Sequence, residues 1–106
     1  MSNHVFDKRR WAAMTMFEQM GNIGSEVGRA LSAKKRHDES AMRGALYRGL
    51  DLIDYTAELW AVQKSPRTKE LLRARELFAE SVLTKAVDPT LEQYFFQYAL
   101  AARRNR

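Results

Sequence analysis

The chain has 106 residues, 18 Lys and Arg against 13 Asp and Glu, a formal charge of +5, and no cysteine. Its length matches one domain, since single domains run to about 100 to 150 residues. Without cysteine there is no disulfide scaffold, no thiolate zinc site and no cysteine nucleophile. The first ten residues include Asp7, Lys8, Arg9 and Arg10, and no apolar run approaches the roughly 20 residues of a membrane span. A cytoplasmic protein is the default expectation.

In chain order, the first predicted helix covers 7–34. Ala13, Phe17, Met20, Gly24, Val27 and Leu31 alternate steps of three and four, the stripe a helix turns toward a neighbour. The run Lys34-Lys35-Arg36-His37-Asp38 ends it, with cations at the negative end of one helix dipole and Asp38 and Glu39 at the positive start of the next. The second helix, 38–63, repeats the stripe with Met42, Leu46, Gly49, Ile53, Thr56 and Trp60. Ser65-Pro66 reads as N-cap and first helical position of a third, 66–85, carrying Leu71, Leu72, Phe78, Ala79 and Val82. Asp88-Pro89 opens a fourth in the same way, 89–104, with Leu91, Phe95, Tyr98 and Ala102. No stretch alternates with a period of two, so no sheet is expected. Short connections force successive helices antiparallel, which predicts an all-α single domain over 1–106, a four-helix up-down-up-down antiparallel bundle.

The block from Gly21 to Ala30 is the most distinctive run. Gly21, Gly24, Ser25 and Gly28 recur at helical spacing and leave one side nearly bare backbone, at up to about 1 kcal/mol per glycine relative to alanine. Close helix packing accounts for this, with Gly44 and Gly49 of the second helix as counterparts; a ligand or a nucleic-acid backbone lying there is the rival reading. Folding the first two helices about residue 36 sets 26 opposite about 46 and 29 opposite about 43. Glu26 could then reach Arg43 or Arg48, with Arg29 and Asp51 in the same interhelical ion-pair network and Asn22 level with Asp51.

Catalysis is not expected. Neither His4 nor His37 has a Glu three positions before it, as a di-metal helical bundle requires. Asp51, Asp54 and Glu58 line one helical face with Tyr47, as a solvated surface does. No Ser or Thr can be assigned a histidine base from spacing, and the Arg-x4-6-His pattern of helical ribonucleases is absent. No metal and no cofactor is implied.

Charge is more informative. In the predicted topology one pole gathers Lys8, Arg9, Arg10, Lys64, Arg67, Lys69, Arg103, Arg104 and Arg106, half of the 18 basic residues, with Asp7, Glu58 and Glu70 as the acids there. Such a focused field attracts phosphates, or serves only solubility and dipole compensation. The last helix is apolar nearly all round, which points to a subunit interface through Phe96 and Leu100; aromatics exposed for base stacking are the rival.

Trp11, Met14, Glu18-Gln19, the block Gly21 to Ala30, Ala45-Leu46-Tyr47-Arg48, Leu50 to Asp54, Arg73-Ala74-Arg75-Glu76 and the ending Tyr94-Phe95 to Arg106 together resemble a family of small uncharacterised bacterial all-helical proteins, to which no activity attaches. More distantly, Asn22-Ile23 followed by Gly28-Arg29 is similar to the Asn-Ile-Ala-Glu-Gly-x-Gly-Arg motif of the four-helix-bundle proteins encoded in ribosomal RNA intervening sequences. The Avd accessory proteins of diversity-generating retroelements share that bundle. Those proteins are basic pentamers that bind a reverse transcriptase and nucleic acid, and the resemblance implies an oligomeric, basic, RNA-associated protein. The expected function is a non-catalytic, oligomeric accessory protein contacting RNA or a ribonucleoprotein through its basic pole. The alternative is a protein-only adaptor docking a partner through its apolar C-terminal helix.

Overall fold

The stretch expected as one helix over 7–34 is two. In the computed structural model, which describes residues 7–85 and 90–104, Asp7 accepts hydrogen bonds from the backbone N–H groups of Arg9 and Arg10 and opens α1 (Lys8–Ala13). Met14 is extended, at φ −71° and ψ 153°, and ends it. A new helix, α2 (Met16–Lys35), starts from a capping box: Thr15 Oγ1 accepts from the Glu18 N–H at 3.1 Å, and Glu18 Oε1 accepts from the Thr15 N–H at 3.0 Å. Two orphan donors are satisfied reciprocally, which makes a fresh start at Thr15 cheaper than continuation. Then α1 folds back onto the next helix, α3 (Glu39–Val62). The buried Trp11 indole N–H donates to Thr56 Oγ1 at 2.9 Å, and Gln19 Nε2 holds the Trp11 carbonyl at 2.8 Å.

The turn between α2 and α3 forms where the charge pattern predicts it. His37 N–H donates to the Lys34 carbonyl and Asp38 N–H to the Ala33 carbonyl, while Asp38 Oδ1 caps α3 by accepting from the Ala41 N–H. The end of α3 repeats the geometry, with Lys64 N–H on the Ala61 carbonyl and Ser65 N–H on that of Trp60. Both are Schellman closures, and both place a non-glycine residue in the left-handed region: His37 at φ 58° and Lys64 at φ 57°. Left-handed backbone costs a side-chain-bearing residue roughly 1–2 kcal/mol, partly offset in a glycine variant by its freer unfolded chain. His37→Gly and Lys64→Gly should therefore each stabilise the protein by about 0.5–1 kcal/mol, read as a higher urea midpoint.

The third predicted helix starts later than expected. α4 (Thr68–Leu83) follows Arg67, which gives no side-chain cap. Ser65 does cap, but it caps a turn: its Oγ accepts from the Arg67 N–H at 3.2 Å, and its carbonyl takes both the N–H and the hydroxyl of Thr68. Pro66 and Arg67 are consumed by that turn, so the helix begins one step beyond it. The last helix is α5 (Leu91–Arg104), and the Thr90 carbonyl accepts from the Tyr94 N–H at its start. The expected cap at Asp88-Pro89 lies outside the described residues.

Among the described residues the chain is all-helical, with five helices and no strand. The core takes Met20, Ile23 and Val27 from α2, Leu46 and Ile53 from α3, Leu71 and Phe78 from α4, and Leu91 and Phe95 from α5, all fully buried. Ala13 and Leu72, placed on core stripes by spacing, are exposed. α2 is the hub, packed on α3 and α5; α4 packs on α3, and α5 leans on α2 while barely touching α4. Across these pairs Glu26 meets Arg48, Asp54 meets Arg75, and Gly24 meets Phe95. The extents of 37 × 36 × 26 Å describe a slab rather than a rod.

Candidate functional site

Six of the eight residues expected at the basic pole have described side chains, and all six are exposed: Lys8, Arg9, Arg10, Lys64, Arg67 and Lys69. Two have aromatic partners. Lys8 Nζ sits 4.9 Å from the centre of the Tyr55 ring, and Arg67 Nη1 donates to the Tyr98 hydroxyl at 3.1 Å. Tyr98 in turn lies 6.2 Å from Phe17 at the start of α2. A shallow apolar groove joins Lys8 and Trp11 to Tyr55, Leu59 and Val62 at the end of α3. These contacts join α1 to the later turns of α3, and the α3–α4 connection to α5 and, through Tyr98, to the start of α2. Arg103 and Arg104 stand in the last turn of α5, and Arg106 lies outside the described residues. Of the acids expected beside these cations, Asp7 is occupied as the α1 cap, while Glu58 and Glu70 are exposed.

The ion-pair network forms around Glu26 with a changed membership. Glu26 is buried, its side chain 9% exposed, and its two oxygens take different partners: Oε1 accepts from Arg29 Nη1 at 2.9 Å and Oε2 from Arg48 Nε at 2.6 Å. Arg43 is not part of it; it points along its own helix to Glu39 at 3.9 Å. Positions 43 and 48 differ by 140° around a helix at 100° per residue, so only one can face α2. Asp51 is exposed and pairs with neither arginine. Asn22 donates to the Glu18 carbonyl at 2.9 Å and to the Met14 sulfur at 3.7 Å, so its amide serves the break between α1 and α2 rather than the level of Asp51.

The glycines do not meet one another across α2 and α3 either. Gly24 faces α5, where a Cβ would lie 2.6 Å from Phe95 Cβ, and Gly49 faces α4, where it would lie 2.7 Å from Phe78 Cε2. Gly28 opens toward Glu92 with ordinary clearance, and Gly21 lines a groove with Gly24, Ser25, Phe95 and Phe96. Gly24 and Glu26 are two residues apart and so look toward different neighbours, α5 and α3. The bare side of α2 therefore seats α5, not α3.

On α5, Tyr94 stands edge-on to both Phe95 and Tyr98, and Phe95 and Tyr98 are buried. Burial, with Tyr98 alongside, pushes the Tyr94 phenol above its ordinary range. Phe96 and Leu100 face outward, 56% and 36% exposed.

Spacing along the chain missed two contacts. Arg75 grips Asp54 with two N–H donors, at 2.7 and 3.3 Å, and that hydrogen bond raises the arginine pKa further. Lys34 Nζ donates to the Ser81 carbonyl at 2.5 Å and to that of Thr84, closing the C-terminus of α4. Both join residues more than twenty positions apart, and no local signal announces them.

Among the described residues no helix is long and apolar enough to cross a membrane, and no group of three or more His, Cys, Asp or Glu is placed to hold a metal ion. No family model matches the chain, and no curated protein or solved structure matches it significantly.

Proposed function

We propose that this protein is a non-catalytic, self-associating accessory protein whose four long helices form an up-down-up-down bundle and whose basic end contacts RNA or a ribonucleoprotein. The observation that supports the reading is the exposure of the cations of α1, the α3–α4 connection and α4, with Lys8 held against Tyr55 of α3 and Arg67 against Tyr98 of α5. Lys8, Arg9, Arg10, Lys64, Arg67, Lys69, Arg103 and Arg104 would neutralise backbone phosphates and carry little sequence information. The resemblance of Asn22-Ile23 and Gly28-Arg29 to the intervening-sequence and Avd bundles points the same way.

The test is binding to a structured RNA across a salt series. Charge reversal at Arg9, Arg67 and Arg103 together should weaken binding at least tenfold at low salt and flatten the salt dependence by roughly two to three in logarithmic slope. Circular dichroism of the triple variant checks that the helices persist. Unaltered binding by that variant, or none by the parent chain at low salt, would refute the proposal.

The exposed Phe96 and Leu100 favour self-association, and they also support a second reading in which a protein partner docks on α5 and the charge only aids solubility. Polar replacements at those two positions that dissolve a complex while leaving RNA retention intact would favour that adaptor.

A further inference from the structure

Two kinds of arginine pairing coexist on this surface. Arg75 is matched one-to-one with Asp54: two donors meet two oxygens, and the charges cancel. Arg29 and Arg48 instead share the single carboxylate of Glu26, each giving it one N–H, on separate oxygens. A carboxylate with one negative charge between two guanidiniums leaves a surplus positive charge. It also leaves most of each guanidinium's five N–H donors without a protein acceptor among the described residues. Both side chains remain open to solvent, at 66% and 59%, while the acid that holds them is buried.

Burial of Glu26 fixes the pair. Its Cβ lies against the same open position of Gly49 that the Phe78 ring approaches, so the base of the side chain is set by the meeting of α2, α3 and α4. The Arg48 guanidinium also lies close over Gly44, where an added Cβ would be 3.2 Å from Nη1. Two long side chains that would ordinarily lose considerable rotamer freedom on binding are thus held in advance, by one edge each, with the other edges outward. An oxyanion with several acceptor atoms is the complement of such a pair, because guanidinium forks match phosphate geometry.

We infer that Arg29 and Arg48, splayed on Glu26, form a phosphate-binding fork on the α2–α3 face, separate from the basic end. Its use as a second contact for the RNA backbone rests on the function proposed above; phosphate binding by the fork does not.

The fork is tested by titrating inorganic phosphate into the full chain while following arginine side-chain N–H resonances by NMR. The Arg29 and Arg48 signals should shift saturably and the Arg75 signals should stay fixed. Arg29→Lys, which keeps the charge and removes the planar fork, should weaken phosphate binding at least fivefold; Arg48 still pairs Glu26, so the fold is retained. Equal shifts at Arg75, no saturation, or an unchanged affinity in Arg29→Lys would overturn the site, as would a glutamate-rich peptide that competes as well as phosphate. With RNA, Arg29→Gln should lower the logarithmic salt slope by about one. A slope and affinity identical to the parent chain would overturn the RNA contact. Saturable phosphate binding by a chain that retains no RNA would leave the fork standing and overturn the proposed function.

Discussion

Phe78→Ala should destabilise the protein by about 3–5 kcal/mol, against a total stability of roughly 5–15 kcal/mol for a domain of this size. Phe78 is fully buried and lies where α4 meets α3, its ring against Gly49, with the Glu26 stem on the same glycine. Truncation removes the ring from the junction of three helices, and glycine has no side chain with which to refill the space. The change should appear as a large fall in the urea midpoint. Tyr47→Ala is the matched control. Its ring is more than half exposed, and surface substitutions usually stay within about 0.5 kcal/mol. Equal losses from the two variants would mean that α4 does not close the core at Phe78.

The second large effect is a reversal of sign for one substitution within one helix. Gly24→Ala places a methyl 2.6 Å from Phe95 Cβ, an atom fixed to the backbone of α5. Either α5 moves or α2 does, and overpacking of this kind costs about 1–3 kcal/mol. Gly28→Ala, one turn on, meets only the end of Glu92 at 3.8 Å. There the helical preference for alanine acts unopposed and should add about 0.8–1 kcal/mol. Thermal unfolding of the two variants separates them: the melting temperature should fall for the first and rise for the second. A rise in both would show that α5 does not sit on the bare side of α2. Gly49→Ala belongs with Gly24→Ala, since its methyl would meet the Phe78 ring at 2.7 Å.

Much of the fold was legible because helices are written locally. Period, cap and charge placed the turn at Arg36-His37-Asp38 and the end of α3, since the interactions that make a turn lie within a few residues of it. The break at Thr15 was equally local: Thr15 and Glu18 carry the spacing of a capping box. It went unseen because the apolar stripe runs through it without interruption, and periodicity reports a helix on both sides of a break as one. The delayed start of α4 has a similar origin. Ser65-Pro66 is a capping signal, but turn and helix use the same signal, and the hydrogen bond from Thr68 decided for a turn.

The candidate sites divide along the same line. That Glu26 would be held by arginines, and that α2 carries a face without side chains, followed from the amino acids and a hairpin drawn about residue 36. Which arginine, and which helix, did not. Arg43 and Arg48 are both within reach along the axis, and only rotation about α3 selects Arg48. The bare face of α2 would fit α3 or α5 equally by composition, and only the packing of the hub helix assigns it to Phe95. The sequence by itself determined helix content, most turn positions and the excess of positive charge, because each depends on neighbours along the chain. Tertiary structure alone decided the azimuth of each helix about its axis, and with it which charges pair, which glycines are filled and which arginine donors remain open.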